Sequence, residues 1–161
     1  MDHATFLARL EAHKKILYKV AYLYGRGEAD RQDLVQEIVV QLWRSLPRFD
    51  GRSELSTWIY RVALNVAISQ LRARTRRPTV SIDDAAIARD ALLVAAPDEG
   101  SVGVLAELVA RLSELDRALV LLHLEGHAHD AIADILGLSV TNVGTKLGRI
   151  KQKLRAEQEK P

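Results

Sequence analysis

Gly137 constrains this chain more than any other residue, because it sits between two short helical periodicities. Residues 129–154 read HDAIADILGLSVTNVGTKLGRIKQKL. Ala131, Ile132, Ile135 and Leu136 give the first segment an apolar face. Gly137 has no Cβ and suits the left-handed position that ends a helix. Leu138 can tuck under the turn, and Ser139 can cap the next helix by accepting a backbone N–H bond. Ala133 offers the small side chain that a close helix crossing requires. In the second segment Val140, Val143, Leu147, Ile150 and Leu154 recur at helical spacing and make one stripe. The other side carries Thr141, Thr145, Arg149 and Gln152, flanked by Asn142, Lys146 and Lys153. A helix with a dry inner face and an outer face of amides, hydroxyls and cations has the chemistry to read a DNA major groove. An ordinary helical hairpin with a solvated basic face uses the same residue types, so both readings stand on these residues alone.

With 161 residues the chain can form one medium domain or two small ones. Hydrophobic residues make up 48% and charged residues 27%, which points to a soluble globular protein rather than a disordered one. Cysteine is absent, which removes disulfide and thiolate chemistry and suits a reducing cytoplasm, the expected location. No apolar run reaches the length of a membrane span, and Asp2, His3 and Arg9 do not open a signal peptide. The formal net charge of +2 hides an asymmetry. Residues 55–82 contain no acid but carry Arg61, Arg72, Arg74, Arg76 and Arg77. The next segment has Asp83, Asp84, Asp90, Asp98 and Glu99 against Arg89, and bases dominate again from Lys146. This pattern describes two zones for anionic partners with something different between them.

The chain opens with helical spacing over residues 5–24, with Phe6, Leu10, Leu17 and Tyr24 near one face and Ile16, Val20 and Leu23 widening it. Gly25 and Gly27 break the pattern, and Asp30 is the expected cap of a helix over 31–46. That helix carries Leu34, Val35, Ile38, Val39, Val40, Leu42, Trp43 and Leu46, more than one stripe can hold. It is therefore central in a bundle, covered by another protein, or both. Pro47 stops it, and the loop RFDGRSELS places a turn at Asp50-Gly51. Ser53 or Ser56 can cap a third long helix over 55–74, with Ile59, Val62, Ala63, Val66 and Leu71 inside. Arg61, Asn65 and Arg72 share its outer face, with Tyr60 beside it. An aromatic-bearing loop before a polar, basic helix suits single-stranded DNA, whose bases stack on rings while phosphates meet arginines. Trp58 and Tyr60 can instead be core aromatics, and for Trp58 core packing is the favoured role. Pro78, Pro97, Gly100 and Gly103 then punctuate an acidic, alanine-rich linker with one short helical turn within 85–94. A second helical unit starts near Val104, striped by Leu105, Leu108, Val109 and Leu112. Ser113 with Asp116 resembles a capping box opening a helix over 114–125, which Gly126 closes.

Other chemistry finds little purchase. His123, His127 and His129 are close in sequence, but no cysteine or well-spaced carboxylate completes a zinc set, so surface or packing roles are expected and no metal. Gly144 and Gly148 form a GxxxG spacing without an apolar span around it. Each costs about 1 kcal/mol against alanine inside a helix, and close backbone approach to DNA would compensate. There is no phosphate-cradling Walker loop, dinucleotide fingerprint or nucleophile elbow. An enzyme is not expected, and no cofactor.

Two blocks of the sequence resemble the sigma-70 family of bacterial transcription initiation factors, and specifically its small extracytoplasmic function (ECF, group IV) class. DLVQEIVVQLWRSLPRFDGRSELSTWIYRVALNVAISQLRAR resembles family region 2, and LSELDRALVLLHLEGHAHDAIADILGLSVTNVGTKLGRIKQKLR resembles region 4. The resemblance implies an all-α chain of two small helical domains joined by a flexible linker. Residues 1–77 would be a region 2-like bundle, 78–103 the linker, and 104–161 a region 4-like helix-turn-helix domain.

A division of labour follows from that resemblance. Asp33, Gln36, Glu37 and Gln41 would dock on the clamp helices of core RNA polymerase. Arg48, Asp50, Ser53, Tyr60, Arg61, Asn65, Arg72, Arg74 and Arg76 would serve minus-10 promoter recognition and melting. Thr141, Asn142, Gly144, Thr145, Lys146, Arg149 and Lys153 would contact minus-35 duplex. Core polymerase, promoter DNA and an anti-sigma factor are the implied partners. This chain departs from the family in three places: Leu64 stands before Asn65, where a base is usual; HAHD replaces an aromatic and acidic segment; and Gly144 and Gly148 replace long polar or basic residues. The rival readings are a stand-alone helix-turn-helix regulator, disfavoured by the apolar N-terminal block, and a helical adaptor that binds only proteins, disfavoured by the arginines at 72, 74, 76 and 77.

Overall fold

Asp2 starts the first helix by accepting the Thr5 N–H at 2.7 Å, so that α1 spans His3–Ala12. The periodicity expected as one helix over 5–24 is broken at His13 (φ −113°, ψ 14°), and the chain resumes as α2, Lys14–Tyr24. The break lets α1 take its own direction. Phe6 reaches Trp43 with ring centroids 5.4 Å apart, and the His3 ring meets the same indole edge-on at 4.6 Å, while α2 buries Ile16, Leu17, Val20, Ala21, Leu23 and Tyr24. The computed structural model describes residues 1–75, 109 and 111–158, and all regular elements among them are helices.

The turn after α2 is too tight for any side chain at position 25. A Cβ on Gly25 would lie 2.7 Å from the Ala21 carbonyl oxygen and 2.8 Å from Arg31 Cγ. Gly27 follows in the left-handed region (φ 92°), and α3 begins at once, spanning Glu28–Ser45. Asp30 is therefore not the cap that the sequence suggests. It lies inside the first turn, where its Oδ2 accepts the Arg26 N–H at 2.6 Å and the Arg74 guanidinium at 2.6 Å. Only Leu34, Ile38 and Leu42 of α3 are fully buried, a single i, i+4, i+8 row. Val40 and Trp43 are 41% and 44% exposed. Pro47 ends the helix in a 3-10 turn, Leu46–Arg48.

The long helix α4, Leu55–Thr75, packs against both α2 and α3. Its first turn closes on the Glu54 carbonyl, which accepts the Trp58 N–H at 3.1 Å, so neither Ser53 nor Ser56 stands at the cap position. Two neighbouring helices demand a wide buried face, and the core takes Trp58, Ile59, Tyr60, Ala63, Leu64, Ala67, Ile68 and Leu71. Val62 and Val66, expected inside, are half-buried. Phe49 folds its ring to within 5.0 Å of Trp58, so the loop after α3 adds to the same core.

The chain divides into two compact units, Met1–Ile82 and Asp83–Pro161. The expected linker, 78–103, lies outside the described residues. In the second unit Val109 and Leu112 are buried, and Ser113 caps α5, Glu114–Leu124, by accepting the Asp116 N–H at 3.3 Å. Gly126 (φ 85°) turns the chain into α6, His129–Leu136. Gly137 ends α6 in the left-handed conformation (φ 70°, ψ 34°). The Leu138 N–H returns to the Ala133 carbonyl at 3.0 Å, and the Ser139 hydroxyl accepts the Asn142 N–H at 3.0 Å to start α7, Val140–Gln158. The three helices pack pairwise over Leu119, Leu122, Ile132, Ile135, Val143, Leu147 and Ile150. Val140, assigned to the stripe by spacing, is the first residue of α7 and is half exposed.

Candidate nucleic-acid interface

A surface built on α7 follows directly from its capped start. With Val143, Leu147 and Ile150 in the core, helical geometry turns Thr141, Asn142, Thr145, Gly148 and Arg149 outward, and all five are exposed. The Thr145 hydroxyl donates to the Thr141 carbonyl at 3.0 Å, which spends its hydrogen on the helix. What Thr145 offers outward is a methyl group and an acceptor oxygen. Gly148 opens on empty space, whereas a Cβ on Gly144 would come within 3.7 Å of His129 Nδ1.

Lys146, Arg149 and Lys153 lie along a second track of α7, and together with Ile150 they line a depression of about 160 Å³ that Asp116 of α5 completes. Sequence spacing picks out the three cations but misses Asp116, whose only signal is its place three residues after the cap. Among the described residues none of these cations forms an ion pair, so three positive charges face one carboxylate with no direct partner. His123 is half-buried beside this helix. Burial is the main cause that lowers its pKa below the ordinary histidine value, and the positive charges of Lys151 and His129 lower it further. Among the described residues no three His, Asp or Glu side chains gather as a metal-holding group.

A second surface lies on the first unit. Asn65 and Arg72 are exposed on α4, Arg61 and Ser53 are half-buried, and Arg48 at the end of the 3-10 turn and Asp50 in the loop after it are exposed. Gly51 takes a left-handed φ of 78°, and Asp50 bridges it, accepting the Arg52 N–H at 3.0 Å and pairing with the Arg52 guanidinium at 3.3 Å.

Two expected contacts are corrected. Tyr60 is 3% exposed, so its ring belongs to the core and is no stacking platform; α4 is packed on two sides and takes it inward. Arg74 is drawn back into the bundle, with NH1 on Asp30 and NH2 2.9 Å from the Tyr24 carbonyl. Arg76 lies outside the described residues. The unusual Leu64 is explained at the same time: it is 1% exposed, and its position faces the core.

The face expected to dock a protein meets this second surface. Asp33 and Gln36 are exposed on α3. Glu37 and Gln41 are linked by a 3.3 Å hydrogen bond and share a cleft of about 310 Å³ with Asn65, Val66, Ser69 and Gln70. The family resemblance assigns Glu37 and Asn65 to different partners; the α3–α4 packing brings them to one cleft.

A helix-turn-helix with a polar, cationic second helix, in a chain whose other unit is a three-helix core with an outlying α1, defines a class of helical DNA-binding proteins. Comparison with known proteins narrows the class. Residues 10–77 match the family description Sigma-70 region 2, and residues 103–154 match Sigma-70, region 4. The ECF RNA polymerase sigma-E factor of Escherichia coli (strain K12) is 33% identical over 149 residues, covering 84% of this chain and 78% of that protein. The ECF RNA polymerase sigma factor SigG of Mycobacterium tuberculosis is 36% identical over 73 residues, and that match covers 45% of this chain and 20% of SigG. Among solved structures, the sigma factor RpoE from Bartonella quintana, in complex with the anti-sigma factor NepR, superposes with a TM-score of 0.70 at 19% identity, covering 94% of this chain and 95% of that one. The chain belongs to the ECF sigma-70 family.

Proposed function

We propose that this protein is a promoter-specificity subunit: it binds core RNA polymerase, reads minus-35 duplex through α7 and opens the minus-10 element through the exposed side of α4. The observation that carries this reading is the outer track of α7. There Thr141, Asn142, Thr145 and Arg149 stand exposed over a dry face, on a helix whose start is fixed by the Gly137 turn and the Ser139 cap. That is the arrangement a major groove accepts. Residues 1–77 would dock on polymerase and melt the minus-10 element, 78–103 would connect, and 104–161 would place the complex on the minus-35 element.

Three features support the division. The exposed Val40 and Trp43 leave apolar surface on α3 that a partner helix would cover. Asp33, Gln36, Glu37 and Gln41 supply polar contacts on the same helix. On the DNA side, Arg48, Asp50, Ser53, Arg61, Asn65 and Arg72 remain for strand opening once Tyr60 is taken into the core and Arg74 into its pairing with Asp30. The protein would contribute recognition and opening while polymerase performs the chemistry. Because a sigma factor of the same fold has been solved with an anti-sigma factor, an inhibitor of that type is the proposed third partner.

The decisive experiment combines the purified chain with core polymerase and promoter DNA from its own genome. Transcripts starting from a defined subset of promoters are expected. Silence at every promoter would sink the assignment. Permanganate footprinting adds a finer check: Asn65→Ala should impair opening more than duplex binding.

A further inference from the structure

A cavity between α2 and α3 lies apart from both DNA surfaces. It measures about 390 Å³, the size of a small-molecule site. Tyr18 and Tyr22 of α2 form one wall, and Glu28, Arg31, Gln32 and Val35 of α3 form the other; Gln36, one of the expected docking residues, also lines it. Arg31 is the residue that calls for an explanation. Its side chain is only 16% exposed, and its Nε is buried without a hydrogen-bond partner among the described residues. The guanidinium lies over the Tyr22 ring, 4.4 Å from the centroid. Stacking of this kind uses the face of the cation and leaves the N–H donors around its edge unspent. Glu28 approaches that edge, but its Oε2 stands 3.7 Å from NH1, beyond hydrogen-bond reach. The other oxygen of Glu28 accepts the Gln32 amide at 3.2 Å, and this side chain is 69% exposed. Water screens the exposed acid far more than the enclosed cation, so the guanidinium sets the charge of the cavity.

We propose that this cavity binds a small organic oxyanion, a carboxylate or phosphate carried on a flat apolar body. Two oxygens of such a group match the parallel N–H bonds that a guanidinium edge offers. They would be held end-on, at NH1 and NH2, because Nε is covered by protein. The half-exposed Tyr18 ring and Val35 supply apolar surface for the body of the ligand. A buried cationic donor without an acceptor is costly, and an oxyanion supplies the acceptor that the described residues do not. A cationic ligand would meet Arg31 at close range instead. Binding belongs to the first unit alone and does not depend on promoter recognition.

Calorimetric titration of the full chain at fixed ionic strength tests the site with four probes that share one ring: benzoate, phenyl phosphate, benzamide and benzylamine. Benzoate and phenyl phosphate are expected to bind, and the tighter of the two tells carboxylate from phosphate. Benzamide should bind about tenfold more weakly, having lost the charge-assisted bonds, and benzylamine should not bind. Arg31→Met, which keeps an apolar stem, should weaken benzoate about tenfold and leave urea unfolding followed by tryptophan fluorescence unchanged. Tyr18→Ala, at an exposed position, should weaken benzoate several-fold but not acetate, and keeps the site testable if Arg31→Met does not fold. The proposal is overturned if neither anion binds, if benzylamine binds as tightly as benzoate, or if either variant leaves benzoate binding unchanged. It is also overturned if no anion binds the chain alone while Arg31→Met lowers co-purification with core polymerase, since the guanidinium then serves an acidic side chain of that partner.

Discussion

At the scale of residues, the second unit holds two positions whose environment decides a measurable response. His123 is harder to protonate in the folded chain than in the unfolded one, because burial and then the charges of Lys151 and His129 disfavour its cation. The unfolded state therefore binds the extra proton more readily. The stability is fully present above the unfolded value of about 6.5 and is lost as pH falls through and below it. Thermal unfolding followed by circular dichroism should show a midpoint that drops below pH 6.5, and His123→Gln should flatten that part of the profile. Gly148 gives the opposite kind of result. Nothing lies within 4 Å of its Cβ position, so Gly148→Ala should stabilise the chain by about 1 kcal/mol in urea unfolding. If α7 reads duplex with its backbone close to the bases, the same variant should bind minus-35 DNA more weakly even though it is more stable. The Gly137 turn, the Ser113 and Ser139 caps and the core role of Trp58 could all be read from the sequence, because each depends on a local backbone requirement or on a helical period. Tyr60 could not. A tyrosine between a buried isoleucine and an arginine fits either face until the number of helices packed on α4 is known.

Among the elements, the ends of helices were harder to read than their faces. Three helical segments in the first half were legible from apolar spacing, but the break at His13 was not, since residues 5–24 keep one period across it. Asp30 illustrates the same difficulty. An acid just before an apolar run has the composition of a cap, but the cap position fell to Gly27, and Asp30 became the acceptor for Arg26 and Arg74. Arg74 lies 44 residues away from it, a distance over which local pattern carries no information. That pairing makes a prediction for α4 as an element. The two side chains are only 22% and 32% exposed, and Arg74→Met removes both the ion pair and the bond to the Tyr24 carbonyl. The variant should cost about 1–3 kcal/mol. Both tryptophans, Trp43 and Trp58, lie in the first unit, so fluorescence in urea reads that unit directly.

For the whole molecule, the aromatic residues are divided as unevenly as the charges. Every Phe, Trp and Tyr falls within residues 6–60, so among the described residues the second unit is held by aliphatic side chains alone. No described helix is long and apolar enough to cross a membrane. The surplus apolar surface of α3, noticed in the sequence as more than one stripe could hold, proved to be exposed at Val40 and Trp43 rather than buried. Sequence alone could not choose between a central helix and a covered one, because both require the same composition. Val40→Asp tests the covered reading: it should leave the tryptophan-monitored unfolding unchanged and lower co-purification with core polymerase several-fold. An equal yield of complex would place the docking surface elsewhere.

The bond between Arg74 and the start of α3 also has a mechanical side. A helix terminus ordinarily frays, and a chain leaving it starts from a moving point. Here the last turns of α4 are tied by a forked guanidinium to the corner where α2 passes into α3. Fraying of α4 from its C-terminal end would therefore have to break two contacts to the bundle before it could pass Arg74.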